Sequence, residues 1–530
     1  MGGGFLQLAA VGEEDLYLTG NPQVTFFVSV YKRYTNFSIE NVRQYFNGEA
    51  DFGKKVYCIL DKVGDLVNDV FIHIKLPSLI EFNKEINDRN TDDVESNITY
   101  HWINYVGNAL INYVEIEIGG VVIDKHYGLW LQIWSELTLP DEKKQGYYDM
   151  VGYSSYNTTD YYFKVQTEYD LYIPLNFWFC KDKGLALPLI AIHNHEVRIN
   201  VCFRKASELI IRRNCSINNI DNVKQCSSGF NVNKMVNYSG LKLKEANLYV
   251  DYIYLEEHER RYFAKSEHEY LIEQVQLNTN TLYSRGSTTV DNIEYKRCDI
   301  KNGESYNTDT GDSSYCAPIV QNHKVEINFK HPVKELIWVF SSENIIETNE
   351  NNEYQGNEWF NFGVNTYPNC NTNNSVEDFA FNDNNDITNN SNNFIIDNED
   401  DDECIEQDLI EGKTINIKYG VNPNNISPMN DATLYIEGRE RFQKREYQYF
   451  KLIQPYQRHT NIPLDWIYVY SFAFEPEKIT PTGTCNFSKI DNSHFIFNIS
   501  KYLINPRLNI FATNYNLLII KNGFCGLMYK

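Results

Sequence analysis

The sequence predicts an all-β chain folded as two domains. Three observations carry the prediction: short alternating apolar runs recur along the whole length, amphipathic helices are scarce, and one charged stretch divides the strand-rich segments into halves of similar size. A chain of 530 residues is too long for one ordinary core, and 42% hydrophobic residues suffice to fill two.

The first stretch, MGGGFLQLAAVGEEDLYL, lacks the basic start of a secretory signal, and Glu13, Glu14 and Asp15 cut its apolar run short. Leu6 stands where a myristoylation signal wants Ser or Thr. INYVEIEIGGVVIDKHY (111 to 127) alternates and turns at Gly119-Gly120, the pattern of a hairpin. Parts of 128 to 150 are the best helix candidates. LALPLIAI (185 to 192), the longest uninterrupted apolar run, is far too short to span a bilayer. HEVRINVCF (195 to 203) places Val197, Ile199, Val201 and Phe203 on one strand face, with Glu196, Arg198 and Asn200 on the other. ANLYVDYIYL, KVEINFKH, ELIWVF, ATLYIEG, WIYVYSFAF, HFIFNIS and LNIFATNYNLLII continue the pattern, and many short strands joined by polar loops indicate sandwiches or barrels. EEHERRYFAKSEHE (256 to 269) is the charged joint between the halves. Between 341 and 400, 19 of 60 residues are Asn, and an acidic run (Asp397, Glu399, Asp400, Asp401, Asp402, Glu403) closes the stretch. Such a composition cannot build a core, so it reads as a long exposed loop, pinned at one point by Trp359, Phe360 and Phe362. Two fragment pairs, YKRYTN (31 to 36) with YQRHTN (456 to 461) and NHEVRIN (194 to 200) with NHKVEIN (322 to 328), are too short and out of phase to establish a duplication.

Composition also excludes functions. With 48 basic against 71 acidic residues the net charge is −23, which repels phosphate backbones and argues against direct nucleic-acid binding. Eleven cysteines, an odd count without a CxxC pair, read as free thiols of a cytosolic chain. The glycosylation sequons, Asn486 among them, then follow from the abundance of Asn. The 39 Tyr and 30 Phe favour strands and interfaces.

Candidate chemistry is thin. His193 and His195, at i and i+2, fall on one strand face as some barrel metal sites begin, yet Glu196 points the other way and both histidines share the parity of Val197 and Ile199. They read as core or edge histidines. Cys485 has only His494 as a nearby base and no oxyanion pattern around it, so it reads as a small hydrophobe. The acidic run lacks the spacing and glycine of a calcium loop, and no P-loop or GxSxG is present. Neither a catalytic residue nor a cofactor is expected.

Longer stretches carry a resemblance. GGGFLQLAAVGEEDLYLTGNPQVTFFVSVYKRYTNFSIE, FWFCKDKGLALPLIAIHNHEVRIN, LYVDYIYLEEHERRYFAKSEHEYLIEQVQ, FKLIQPYQRHTNIPLDWIYVYSFAFEPEKITPTGTCNFSKIDNS and FATNYNLLIIKNGFCGLMY stand in order from residue 2 to residue 529. Together they resemble the major capsid protein of nucleocytoplasmic large DNA viruses, with the mimivirus and phycodnavirus-like branches nearest. The resemblance implies a double jelly roll, two tandem eight-stranded jelly-roll β-sandwiches with long loops and few short helices. It implies an N-terminal arm at 1–25, a first roll at 26–255, a linker at 256–269 and a second roll at 270–530, with the insertion at about 341–412 in the second roll. TPTGTCNFSKID (480 to 491) would be a turn and incoming strand, with Thr-Gly at the corner and Phe487 packing inward.

The resemblance further implies a structural virion protein. It would form homotrimeric, pseudo-hexagonal capsomers in an icosahedral shell, assembled in the host cytoplasm at viral factories. Its partners would be its own copies, minor capsid or penton proteins and the internal membrane, without direct contact to nucleic acid. Phe5, Leu6, Leu8, Tyr17 and Leu18 would belong to an assembly arm, and the acidic run to an outer loop. A jelly-roll lectin and a metal-dependent barrel enzyme remain as rival classes.

Overall fold

The computed structural model describes residues 19, 21–29, 32–80, 82, 98–153, 168–217, 224–227, 238, 240–282, 322–342, 359–363, 427–500, 503 and 506–529, with backbone alone at 98–99, 211–217, 224–227, 342 and the short strands within 289–306 and 407–416. In the first half the strands are β1 (Phe37–Tyr45), β2 (Lys55–Ile59), β3 (Leu66–Leu76), β4 (Ile98–Trp102), β5 (Ile111–Ile118), β6 (Val121–Tyr127), β7 (Tyr169–Pro174), β8 (Val197–Phe203), β9 (Ile210–Ile217), β10 (Lys224–Ser227) and β11 (Glu245–Leu255). Two antiparallel sheets, β1-β11-β3-β7 and β2-β8-β5-β6, form the walls, and β10-β9-β4 is a side ribbon. Counting the wall strands in chain order, one sheet reads first–eighth–third–sixth and the other second–seventh–fourth–fifth. That is the wiring of a jelly roll.

The second half repeats it. Its strands are β12 (His268–Thr281), the ribbons β13 (Thr289–Val290) with β14 (Ile293–Glu294) and β15 (Asp299–Lys301) with β16 (Glu304–Tyr306), then β17 (Asn322–Glu326) and β18 (Pro332–Ser342). A further ribbon, β19 (Gln407–Ile410) with β20 (Lys413–Asn416), precedes β21 (Met429–Ile436), β22 (Arg439–Glu440) and β23 (Arg445–Glu446). β24 (Tyr468–Ser471), β25 (Cys485–Asn486), β26 (Ser493–Ile499), β27 (Pro506–Lys521) and β28 (Phe524–Leu527) complete the chain. The walls β12-β27-β18-β24 and β17-β26-β21-β22 reproduce the order of the first roll, strand for strand.

Period-two patterning explains the walls. Along β3, Val70, Ile72, Ile74 and Leu76 are buried, and along β26, Phe495, Phe497 and Ile499. The β5–β6 hairpin turns through Gly119 and Gly120 at φ +58° and +83°, a conformation that favours glycine at both positions. In the second roll Trp338 of β18 meets Phe495 and Phe497 of the facing sheet at ring-centroid distances of 5.2 and 5.9 Å, and Phe450 at 5.1 Å. Part of the aromatic excess therefore fills a roll interior, on strands as the sequence suggested.

Helices are few and short: α1 (Val106–Leu110), α2 (Gly128–Thr138), α3 (Asp141–Val151), α4 (Trp178–Lys181), α5 (Glu257–Lys265) and α6 (Gln454–Arg458), the last preceded by a wide helical turn at Tyr449–Ile453. α2 and α3 occupy the stretch favoured in sequence. The charged joint is itself helical over α5, and β12 begins already at His268. Glu257 and Glu259 in its first turn and Lys265 in its last suit the helix dipole, but α5 buries no residue, so there was no apolar stripe for periodicity to reveal.

Truncating the fully buried Trp338 removes the hub of this aromatic cluster. W338A is expected to lower the stability of the second roll by about 3–5 kcal/mol, read as a shift of the denaturant midpoint.

Candidate assembly surface

An assembling subunit needs a rigid body and an outer surface, and the rigid body depends on how the two rolls meet. The outward face of the β12-β27-β18 wall rests on the first roll. Phe511 of β27 packs against Trp130 of α2 at 5.3 Å and Tyr127 at 6.5 Å. Beside this apolar centre, Asp124 of β6 accepts a hydrogen bond from the Val275 amide of β12 at 3.0 Å, and the Gln274 side chain donates to the Ile123 carbonyl. The Asn461 amide donates to the Leu137 carbonyl at the end of α2, 2.9 Å away.

Charges line the same seam. β18 carries a bulge between Val333 and Glu335, so consecutive residues Lys334 and Glu335 both present their side chains to buried polar partners. Glu273 of β12 takes Lys334 on one carboxylate oxygen and Lys181 of the first roll on the other, the latter at 3.0 Å. Lys334 also donates to the Pro476 carbonyl at 2.6 Å, and the Lys181 ammonium lies 4.2 Å over the Trp134 ring. Burial pushes the Glu273 carboxyl up, but the two ammoniums outweigh it and hold the group below its ordinary value. Burial pushes the Lys334 ammonium down, against the pull of Glu273.

Next to them, His459 Nε2 lies 3.0 Å from Glu335 Oε2, and Nδ1 lies 3.0 Å from Glu477 Oε1. Both ring nitrogens lie within ion-pair distance of carboxylates, an arrangement that favours the imidazolium. Burial opposes that charge, yet the two carboxylates raise the His459 pKa to about 9.

The histidines singled out in sequence fall elsewhere than expected. β8 begins at Val197, so His193 and His195 precede it in a loop rather than sharing its apolar face; His193 is exposed and His195 half-buried. His195 Nδ1 accepts the Cys525 amide at 3.2 Å, and its ring meets Phe524 edge-on at 5.1 Å. Asn194 between them donates from its amide to the Gly523 carbonyl and from its side chain to the Asn522 carbonyl, both at 3.0 Å. The motif clips the β27–β28 hairpin of the second roll to the first. Among the described residues, no group of three or more His, Cys, Asp or Glu side chains could hold a metal ion.

The stretch around Cys485 is architecture. Gly483, at φ +144°, makes the corner, and a side chain there would meet the Phe472 carbonyl at 2.6 Å. Cys485 and Asn486 pair with Val333 and Pro332, and Phe487 is buried. Burial pushes the Cys485 thiol up, the opposite of what a nucleophile needs. His494 stacks on Tyr435 at 5.0 Å. Trp359 and Phe360 do pin their segment, and they pin it to the other roll. Trp359 donates to the Glu208 carbonyl at 2.9 Å under the Arg204 guanidinium, and Phe360 meets Tyr105 at 5.9 Å. Phe5, Leu6, Leu8, Tyr17, Leu18 and the acidic run Asp397 to Glu403 lie outside the described residues.

Among the described residues, two sequence clusters of exposed apolar side chains stand out. Val24, Phe26 (94% exposed), Phe27 (95%), Val28, Tyr34, Phe37 and Ile39 lead into the edge strand β1. In the second roll, Leu452, Ile453, Tyr456 and Leu464 (88%) are joined by Phe474, which lies under the Arg458 guanidinium. Singly such residues are ordinary; in groups they mark contact surfaces.

A family model described as "Major capsid protein N-terminus" matches residues 25–256, and one described as "Large eukaryotic DNA virus major capsid protein" matches residues 259–526. The chain belongs to the major capsid proteins of large eukaryotic DNA viruses. The major capsid protein of Phaeocystis pouchetii virus is 33% identical over the whole of both chains, and capsid protein 1 of Acanthamoeba polyphaga mimivirus is 29% identical, again over the whole of both. VP54 of PBCV-1, fitted into a reconstruction of the virophage Sputnik, aligns with 25% identity and a TM-score of 0.62, covering 96% of this chain and 100% of that one. The Faustovirus major capsid protein, at 11% identity over 96% of this chain and 94% of its own, shares the fold with a TM-score of 0.58. As a major capsid protein the chain is a structural component of the viral shell.

The seam charges, which sequence reading passed over, form buried ion pairs where the two rolls meet. E273M leaves Lys181 and Lys334 without their shared carboxylate and is expected to cost about 3–5 kcal/mol, more than K334M, which leaves Glu273 paired with Lys181. Denaturant midpoints of the three chains check this.

Proposed function

We propose that three copies of the chain associate around a threefold axis into a capsomer with a nearly hexagonal outline, and that these capsomers tile the shell. The observation that carries the reading is the repeat of one jelly-roll wiring in two rolls held by a buried seam. Three such bodies bring six similar barrels into a ring, which fills a flat lattice more evenly than three single rolls. A cyclic trimer uses a heterologous contact, in which a patch on one copy meets a different patch on the next. The two exposed apolar patches, one on each roll, supply surfaces of that kind. An apolar, aromatic interface within the trimer suits a permanent contact, and smaller polar contacts between trimers suit reversible lattice growth.

The role is structural, without catalysis. Residues 1–25 act as a docking arm beneath the capsomer, toward minor capsid proteins and the internal membrane. The Asn-rich insertion faces outward. Assembly takes place in the host cytoplasm.

Light scattering after size exclusion tests the reading: a discrete species of three times the 62.0 kDa chain mass, stable to dilution, is expected, and a stable monomer overturns it. Deleting residues 2–22 is expected to leave the trimer intact while shells fail to form; loss of the trimer itself would remove the arm from its docking role.

A further inference from the structure

The seam joins two particular parts of the jelly-roll plan: the outward face of one wall and the connection between the fifth and sixth wall strands. The wall belongs to the second roll, where Phe511 sits on the eighth wall strand, β27. The connection belongs to the first roll, where α2 lies between β6 and β7 and carries Trp130, the residue that Phe511 meets. Both parts are covered. Trp130, Ile133, Trp134 and Leu137 of α2 are buried, and so is nearly all of β27.

Each part has a counterpart in the other roll, and both counterparts are open. The eighth wall strand of the first roll is β11. Its inward residues Leu248, Val250 and Tyr252 are buried, whereas Tyr249, Asp251 and Ile253 between them are only half-buried. The outward face continues onto the neighbouring strands. Phe37 and Ile39 of β1 stand opposite Leu255 and Ile253, and Phe71 of β3 stacks on Tyr249 at 5.2 Å. At the far side His73 of β3 meets Tyr172 of β7 at 4.8 Å. Phe37, Ile39 and Tyr172 are exposed. In the second roll the corresponding connection runs between β22 and β24, and its Leu452, Ile453, Tyr456 and Leu464 are exposed where the apolar residues of α2 are buried. The buried Lys451 ammonium donates to the Pro463 and Leu464 carbonyls at 3.2 and 3.0 Å, which ties the turn carrying Leu452 to the loop carrying Leu464.

We propose that the outward face of the β1-β11-β3-β7 wall docks on the Leu452–Leu464 connection of a second copy of this chain, repeating between copies the contact that the seam makes within one. This docking rests on the threefold reading above and adds which faces meet.

The occupant follows from the plan of the chain. A wall and a connection already fit one another in the seam, and the same chain carries a second wall and a second connection with apolar side chains left open. The seam fixes the two rolls with the second wall on the first connection, so the open pair is completed by another copy. Wall on connection is a heterologous contact: each copy gives one face and receives the other, and neither face is left over once the ring closes. Every boundary between neighbouring rolls then has the same character, whether it lies inside a chain or between two. The apolar, partly aromatic make-up of both open faces suits a permanent contact.

Photo-cross-linking of the full chain tests the pairing. Tyr456, 78% exposed, is replaced by p-benzoylphenylalanine. The mass is taken by light scattering, the sample is irradiated, and chains joined in pairs are recovered from a denaturing gel for peptide mapping. A trimer is expected, with cross-links from position 456 to peptides of β1, β11, β3 or β7. Beside it, I39E on the wall and L464E on the connection are each expected to lose the trimer while keeping the near-UV circular dichroism of the folded chain. A trimer whose cross-links avoid that wall, or one that survives either charge, overturns the docking and leaves the threefold reading standing. A stable monomer of the parent chain overturns both. If a charge variant does not fold, the cross-link map decides by the same criterion.

Discussion

A wall strand of a free-standing sandwich keeps one side wet; β27 is dry on both. Of its sixteen residues only Arg507, Leu517, Ile519 and Lys521 are not fully buried. Ile510 pairs with Trp338 and faces the interior, while Phe511, one residue on, faces the first roll. The roll–roll arrangement follows from that second dry side. Separating the rolls would expose Phe511 and the Trp130 beneath it, and polar groups sharing their side cost free energy where they lack partners within the seam. Thr513 does so by donating to Glu335, and Glu273 by taking two lysines.

Burying ions is a poor way to gain stability, because desolvation offsets most of the attraction. Their use here is directional. The contact of Phe511 with Trp130 tolerates small rotations of one roll on the other, since apolar contact depends on area more than on angle. A carboxylate held between Lys181 of one roll and Lys334 of the other does not. The bulge at Lys334 is what makes this possible: without the extra residue, Lys334 and Glu335 would point to opposite sides of the wall, and either the Glu273 site or the His459 site would lose a member.

This also explains what could be read in advance. The β5–β6 hairpin, β8 and helices α2 and α3 were legible because each rests on a local period or a turn residue. The seam was not. HPVKELIWVF reads as a strand with a polar start, and a bulge leaves no mark in residue types. His193 and His195 were assigned by extending the parity of Val197 backwards, but the strand stops there and the parity with it. The doubling of the fold was legible only through the resemblance to a known family and not through an internal repeat, because a jelly-roll wall asks only for alternation at matching places, which unrelated sequences satisfy. YQRHTN, weighed as a trace of that doubling, instead contains His459, whose importance rests on Glu335 and Glu477, distant in sequence and adjacent in space.

A shell subunit faces two opposed demands. Its outer contacts must be weak enough to correct, so each tolerates some error of placement, and over many copies such errors add. The error has to be confined somewhere, and a chain with two covalently joined rolls can confine it in the seam. In the proposed capsomer, three of the six boundaries between neighbouring rolls lie inside chains and are fixed by the Glu273 site, where Lys181 crosses from the first roll. The other three are made on assembly. Half of the outline is then set before any two copies meet, and the search during assembly is reduced to one kind of contact, repeated. The aromatic residues left exposed at Phe26, Phe27, Tyr456 and Phe474 suit that remaining contact, where apolar area supplies affinity and the rigid seam supplies the angle.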